Sequence, residues 1–321
     1  MPQLRRGVNI SGADFGEQNL PGVLGRDYTF NNAATYRYFA DRGLNLFRIG
    51  VKWERLQPVP GGPLDAAYLD GLRRNLDWAG RAGASAVVNL QNFARYRLNG
   101  FEYILDNSPA ITRQHLADLW VCVSAELRDH PALYAFGLMN EPHDLGPAAD
   151  WKEISQFVLS ALRDSGDRTL IMVAGYNWSH ADEWPVVHGP DSWIDDPANR
   201  FAYEAHLYFD ADRSGRYALN YDEELRQNKT LPSIGAGRLR PFTDWLTRNQ
   251  VRGYVGEYGI PGDDPRWQEV LETFLTALDA ASLDGTYWSA GEWWKEYRLS
   301  VQPDALFQEE KPQLSVLARH V

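Results

Sequence analysis

Residues 68–90 read YLDGLRRNLDWAGRAGASAVVNL and contain two different periodicities in succession. Over residues 68–82, apolar side chains recur at the spacing of one helix face, at Leu69, Leu72, Leu76 and Ala79. After a glycine-containing turn, residues 86–90 form a mostly apolar run, which is typical of a parallel strand buried on both faces. This segment therefore predicts a helix that leads directly into a buried strand.

The same alternation extends in both directions along the chain. Apolar runs predict further strands at 8–10, 46–51, 134–139, 170–174, 201–206, 253–256 and 286–289. Helical spacing recurs at 31–42, 113–127, 151–162, 267–278 and 314–321. Strands that alternate with helices indicate βαβ units, and eight such units in 321 residues fit an α/β protein of the (β/α)₈ barrel class.

The main alternative fold is a doubly wound open sheet. That fold commonly carries Gly-x-Gly-x-x-Gly after its first strand, and this sequence has no such motif there. No linker-like composition divides the chain either, so we expect one catalytic domain over residues 1–321.

Composition and charge restrict the class of partner. With 32 basic and 43 acidic side chains the formal net charge is −11, which argues against nucleic-acid or anionic-membrane partners. No apolar run is long enough for a transmembrane helix. The basic N-terminal residues 1–7 precede no apolar stretch, so no secretory signal is expected. A secreted or periplasmic mature form and a cytoplasmic protein both remain open.

The sequence also predicts neither a metal nor a cofactor. The single cysteine, Cys122, excludes an intramolecular disulfide and a four-cysteine zinc site, and its apolar helical context predicts a buried core thiol. His-Glu-x-x-His and a phosphate-binding glycine-rich loop are both missing from the sequence.

Polar side chains cluster where the predicted strands end, which is where the loops of a (β/α)₈ barrel carry its chemistry. They are Arg48, Gln91, Asn92, Asn140, Glu141, His206, Tyr208, Glu257 and Trp288. Two carboxylates about 5–5.5 Å apart can carry out retaining glycoside hydrolysis. We expect Arg48 and Tyr208 to keep Glu257 ionised, and neighbouring negative charge to raise the pKa of Glu141.

Five segments resemble glycoside hydrolase family 5, and most of all its bacterial and fungal endo-β-1,4-glucanase (cellulase) branch. They are GVNISGADFG (7–16), FRIGVKWERL (47–56), GLMNEPHD (137–144), YEAHLYFD (203–210) and GEYG (256–259). The resemblance implies a retaining hydrolase with Glu141 as acid/base and Glu257 as nucleophile. It implies that Arg48 and Tyr208 position the nucleophile and that His206 lies beside the acid/base.

The resemblance also implies how a sugar binds. Asn140 would bind the 2-hydroxyl of the sugar in subsite −1, and Trp288 would form the surface on which that sugar stacks. Trp178 and Trp293 are further candidates for stacking along the cleft. Where the family commonly has Asp-x-His, this chain has Asn89-Leu-Gln91, and the two replacements look coupled. Gln91 keeps hydrogen-bonding capacity but loses the titratable group.

Three interpretations follow for function. The first is an endo-acting β-1,4-glucanase, acting as a monomer on a β-linked polysaccharide or oligosaccharide. The second is a hydrolase of another β-linked polysaccharide, such as a bacterial exopolysaccharide with a glucan backbone, for which the change at Asn89 and Gln91 leaves room. The third is a catalytically silent barrel that only binds glycan.

Overall fold

The computed structural model describes residues 4–321, so the start of the basic N-terminal segment, residues 1–3, lies outside the described part. The strands are Arg6–Ile10 (β1), Leu46–Val51 (β2), Ser85–Leu90 (β3), Arg95–Leu98 (β4), Phe101–Ile104 (β5), Leu133–Gly137 (β6), Leu170–Ala174 (β7), Phe201–Tyr208 (β8), Gly253–Gly259 (β9) and Asp284–Ala290 (β10). Eight of them are parallel and close into a barrel in the order β1-β2-β3-β6-β7-β8-β9-β10, and β4 and β5 form a separate antiparallel hairpin. The predicted (β/α)₈ barrel is confirmed.

Helices surround the barrel in the connections between strands. They are Ala33–Ala40 (α1), Trp53–Leu56 (α2), Ala66–Arg81 (α3), Arg113–Leu127 (α4), Trp151–Asp164 (α5), Trp184–His188 (α6), Tyr221–Gln227 (α7), Ile234–Asn249 (α8), Arg266–Ala280 (α9) and Pro312–Leu317 (α10), with a 3₁₀ turn at Leu231–Ser233. Helix α3 begins where sequence chemistry favours it, since the Asp65 side chain accepts a hydrogen bond from the Tyr68 amide.

The interior of the barrel changes from apolar to polar along the strands. Its N-terminal half is filled by a small cluster of buried side chains: Leu46, Val87, Ala135, Leu170, Met172, Ala202 and Tyr254. Residues two apart on a strand point to the same face. On β2, Leu46 and Arg48 therefore both point into the barrel. On β8, Ala202, Glu204 and His206 do the same. The alternation of side chains along the strands thus places charged groups at the C-terminal mouth of the barrel, above the apolar cluster that fills its N-terminal half.

The prediction for Cys122 is wrong, because the thiol is only partly buried. It lies one position off the buried stripe of α4, which runs through Leu119 and Val123, and its Sγ is 4.0 Å from Asp118 Oδ2. Within residues 4–321, no helix has both the length and the apolar character needed to cross a membrane.

Candidate active site

A cavity of about 320 Å³ opens at the C-terminal mouth of the barrel. Its lining includes Gln91, Phe93, Asn140, Glu141, Tyr208, Glu257, Trp288 and Tyr297. A larger cavity of about 840 Å³ lies at the opposite end, around Asn45, Tyr134 and Asp284. We place the candidate site at the smaller cavity, because six of the side chains predicted from strand ends meet there.

Glu257, on β9, has a defined partner for each carboxylate oxygen. Arg48 Nη1 donates to Oε1 at 3.0 Å, and the Tyr208 hydroxyl donates to Oε2 at 2.8 Å. The carboxylate is 4% exposed, so these two donors replace most of its hydration. The neighbouring guanidinium balances its negative charge, and both contacts agree with the predicted neighbours.

Arg48 is itself held by groups from three other strands or strand ends. Its Nη1 also donates to Asn9 Oδ1 at 2.7 Å, and its Nη2 donates to Asn140 Oδ1 at 2.6 Å. Nη2 also forms an ion pair with Glu204 Oε1 at 2.8 Å. Because the Asn140 carbonyl oxygen accepts from Arg48, the amino group of that carboxamide is left to donate into the cavity.

Glu141 follows β6 and faces Glu257 across the mouth. One oxygen of each carboxylate lies within 4.8 Å of the other. Burial, and then the charge of Glu257, raises the pKa of Glu141, whereas the hydrogen bond from His206 opposes that rise. The predicted direction is therefore correct, with desolvation as the main cause. His206 Nδ1 lies 2.7 Å from Glu141 Oε1.

Gln91 lines the cavity just past the end of β3. Asn89 Nδ2 donates to Gln91 Oε1 at 2.7 Å, as expected for two coupled replacements. The Asn89 carboxamide fits because β6 has no side chain at Gly137, where an added Cβ would lie 2.5 Å from Asn89 Oδ1. The pair thus presents the Gln91 amino group to the cavity without a titratable proton.

Five predicted residues are not part of the cavity lining. Arg48 and His206 are buried behind it, and three others lie elsewhere. Asn92 braces its own loop, since Oδ1 accepts from the Trp53 amide at 2.9 Å and Nδ2 donates to Glu54 at 2.8 Å. Trp178 stacks on His143 at 4.4 Å, further along the mouth. Trp293 lies half-buried in the connection after β10.

Trp288 is partly exposed at the cavity and donates from Nε1 to the Tyr297 hydroxyl at 3.2 Å.

The sequence did not predict Tyr297 as a site residue, because it lies in an irregular connection without a periodic signal. It also missed Asn9 and Glu204, although Glu204 was visible in the alternating Glu-x-His pattern of β8. Glu292, in the connection after β10, is used structurally, because it accepts hydrogen bonds from the Asn32 amide and the Thr35 hydroxyl.

Among residues 4–321, Glu141, His206 and Glu257 have ligand-type atoms close enough to share an ion. Their existing contacts do not suit one. Both ring nitrogens of His206 face carboxylates, at 2.7 Å and 3.1 Å, and both oxygens of Glu257 accept hydrogen bonds. The arrangement is suited to proton transfer and attack at carbon. A barrel with two facing carboxylates at its mouth, beside a partly exposed indole, is the architecture of a glycoside hydrolase.

Comparison with known proteins defines the family. The family model "Cellulase (glycosyl hydrolase family 5)" matches residues 8–293, and the chain belongs to this family. Endo-β-1,4-glucanase B of Emericella nidulans is 32% identical over 313 residues, covering 94% of this chain and 89% of that protein. The expected family resemblance is confirmed.

Solved structures agree with this assignment. Pseudomonas stutzeri endoglucanase Cel5A in complex with cellobiose has a TM-score of 0.89 and 33% identity, covering 98% of this chain and 92% of that one. XacCel5A in complex with cellopentaose has a TM-score of 0.87 and 34% identity, covering 99% of each chain.

Proposed function

We propose that this chain is a retaining endo-β-1,4-glucanase in which Glu257 is the nucleophile and Glu141 the acid/base. The observation that carries the proposal is the pair of facing carboxylates with oxygens within 4.8 Å. Inverting enzymes keep about 6.5–9.5 Å between the two carboxyl groups to admit a water molecule. The two groups also have different surroundings, with a guanidinium beside Glu257 and a raised pKa at Glu141.

The reaction proceeds in two displacements at the anomeric carbon. In the first, Glu141 gives its proton to the glycosidic oxygen as that bond breaks, and Glu257 forms an ester with the carbon. In the second, the Glu141 carboxylate takes a proton from water, the water oxygen attacks the carbon, and the ester bond to Glu257 breaks. Asn140 would donate to the 2-hydroxyl, where hydrogen bonds strengthen as oxocarbenium character develops.

Binding of a glucan chain is supported by the polar and aromatic lining. Gln91 and Asn140 supply donors for hydroxyl groups, and Trp288 supplies a flat apolar surface. Trp178, stacked on His143 next to Phe93, extends the aromatic surface along the mouth toward the leaving side. Since all these groups come from residues 1–321, we propose one catalytic unit that acts as a monomer.

A second candidate substrate is another β-linked polysaccharide, such as an exopolysaccharide with a glucan backbone. The uncharged Asn89–Gln91 pair beside the cavity supports this second candidate, because it replaces the Asp-x-His that is common in the family. Product analysis on carboxymethylcellulose, barley β-glucan and a panel of exopolysaccharides separates the two. Faster hydrolysis of the β-1,4-linked glucans supports the first proposal, whereas activity confined to an exopolysaccharide supports the second.

The nucleophile is tested by trapping. A 2-deoxy-2-fluoro cellobioside with a good leaving group should label the wild-type protein, and peptide mapping by mass spectrometry should place the label on Glu257. Glu257→Gln should abolish both labelling and turnover. Glu153→Gln, at an exposed position of α5, is the matched control and should be labelled like the wild type. A label on another residue contradicts the assignment.

A further inference from the structure

Glu204 is a buried carboxylate for which the proposed mechanism has no use. It lies on β8 two residues before His206, so both side chains point into the barrel, and it is 1% exposed. One oxygen, Oε1, lies 2.8 Å from Arg48 Nη2 and 3.1 Å from His206 Nε2. Its position is below the cavity lining, so it is too deep to touch a substrate.

The two partners of Glu204 between them reach both members of the facing carboxylate pair. Arg48 donates to Glu257, and His206 Nδ1 lies 2.7 Å from Glu141 Oε1 and 3.7 Å from Glu257 Oε2. Resting on the proposed function, we infer that Glu204 is a positioning residue whose single oxygen fixes both the guanidinium that holds the nucleophile and the imidazole that holds the acid/base. The two halves of the active site are thereby joined beneath the substrate.

The hydrogen bonds also decide where His206 carries its protons. Nε2 faces the ionised carboxylate of Glu204 and therefore donates, so it keeps its proton even in the neutral ring. Nδ1, which faces Glu141, is the nitrogen that carries the second proton when the ring is cationic. Burial alone would raise the pKa of Glu204, but Arg48 and His206 hold it below its usual value. Burial alone would lower the pKa of His206, but the surrounding carboxylates raise it to about 9.

Charged and titratable groups approach His206 from several elements, and each is included in this inference. They are Arg48 on β2, Glu141 after β6, His180 after β7, Glu204 and Tyr208 on β8, and Glu257 on β9. Three carboxylates and one guanidinium thus surround the imidazole. Removing the charge of Glu204 takes away one of the three groups that favour its cationic form.

The neighbouring strand is shaped to admit Glu204. An added Cβ at Gly256 would lie 2.0 Å from Glu204 Oε1, so β9 can pass this carboxylate only with a glycine. The space that the missing Gly256 side chain leaves is occupied by Glu204, which ties the glycine to the positioning carboxylate.

The test is the pH dependence of kcat/KM for Glu204→Gln on a soluble β-glucan. Gln keeps the size of the side chain but removes its charge. We expect kcat/KM to fall by about 10- to 100-fold, the size of loss found when the outer hydrogen-bond partners of metal ligands are removed. We also expect the alkaline limb to move to higher pH, because Glu141 loses a cationic neighbour and keeps its proton longer.

Asp196→Asn is the matched control, since Asp196 forms another buried ion pair, with Arg163 at 2.9 Å, away from the cavity. It should lose stability while its pH profile superposes on that of the wild type. If Glu204→Gln loses activity with an unshifted alkaline limb, or with a limb moved to lower pH, the inference is overturned, because a merely structural carboxylate would explain that result.

A measurement on the wild-type protein tests the inference even if the Glu204→Gln variant does not fold. With ¹⁵N-labelled histidine, NMR should show His206 with a proton on Nε2 and still cationic above neutral pH; a His206→Gln variant assigns the resonance. A neutral ring protonated on Nδ1 would overturn the inference. If the wild type hydrolyses no β-glucan, the proposed function fails, whereas this measurement still tests Glu204 separately.

Discussion

The backbone of Glu141 has a φ of 41°, in the left-handed region that is unfavourable for a glutamate. Such strain persists where the surroundings fix the chain, and it is common at functional sites. Here the His143 ring lies beside the Glu141 carbonyl, with Nδ1 at 2.8 Å from that oxygen. The strained turn directs the carboxyl group toward His206 and Glu257 instead of toward solvent.

The acid/base role of Glu141 predicts a variant whose loss of activity depends on the leaving group of the substrate. Glu141→Ala should almost abolish hydrolysis of β-glucan, whose alcohol leaving groups need a proton. Aryl cellobiosides with good leaving groups should keep their first-step rate, and azide should restore turnover with a product of retained configuration. Steady-state kinetics and NMR of the glycosyl azide measure this. Equal loss on both substrates without azide rescue would show that the role is misassigned.

Gln91 is expected to bind the sugar through hydrogen bonds without transferring a proton. Gln91→Ala should raise the activation barrier by about 1–3 kcal/mol, the effect of one or two lost hydrogen bonds at a buried site. The pH optimum should not move, because the removed group does not titrate. Comparing kcat/KM across pH for Gln91→Ala and the wild type checks both points. An unchanged rate would mean that Gln91 makes no contact with the sugar.

At the scale of secondary-structure elements, β8 and β9 depend on each other through Gly256. Gly256→Ala would place a methyl group 2.0 Å from Glu204 Oε1. We expect a lower melting temperature and at least a tenfold loss of kcat/KM, since Arg48 and His206 would move with Glu204. Thermal melts and initial rates measure this.

Gly237 supplies the control for that substitution. It lies inside α8, and a Cβ there would meet nothing within 4 Å. Gly237→Ala should keep full activity and gain about 0.4–1 kcal/mol of stability, because alanine restricts the unfolded chain. Wild-type behaviour of Gly256→Ala would show that the strands tolerate the extra atom.

All eight barrel strands were predictable, because a strand buried on both faces must be a nearly continuous apolar run. Helix α8 was not, since Pro241 and two glycines interrupt its pattern, and it depends on packing against its neighbours, chiefly α9 and also α6, β8 and the 3₁₀ turn. The β4–β5 hairpin is partly exposed and short, so it leaves little periodic signal. Long-range contacts such as Arg48 to Glu204, on strands that are not neighbours in the sheet, depend on barrel closure, which no local pattern encodes.

At the scale of the whole molecule, the fold encloses many phenols away from water. Burial raises the pKa of Tyr208, Tyr217, Tyr254 and Tyr287 above the usual value near 10. In the unfolded chain these groups lose their protons from about pH 10 upward, whereas in the folded chain they keep them. The stability they contribute is therefore complete below about pH 10 and is lost as the pH rises beyond it.

We therefore expect alkaline unfolding to be cooperative. Absorbance at about 295 nm, which reports tyrosinate, should rise mainly in step with the loss of far-ultraviolet circular dichroism above about pH 10. Ionisation of these tyrosines while the dichroism stays native would contradict the burial argument.

The indole of Trp288 offers a way to watch binding without any label. Four other tryptophans, Trp53, Trp120, Trp184 and Trp267, are fully enclosed and should emit a constant blue background. Trp288 is partly exposed to water at the cavity, so a sugar ring resting on it would displace that water and shift its emission. In a Glu257→Gln protein, fluorescence titration with cello-oligosaccharides of increasing length would then count how many glucose units the mouth of the barrel accommodates.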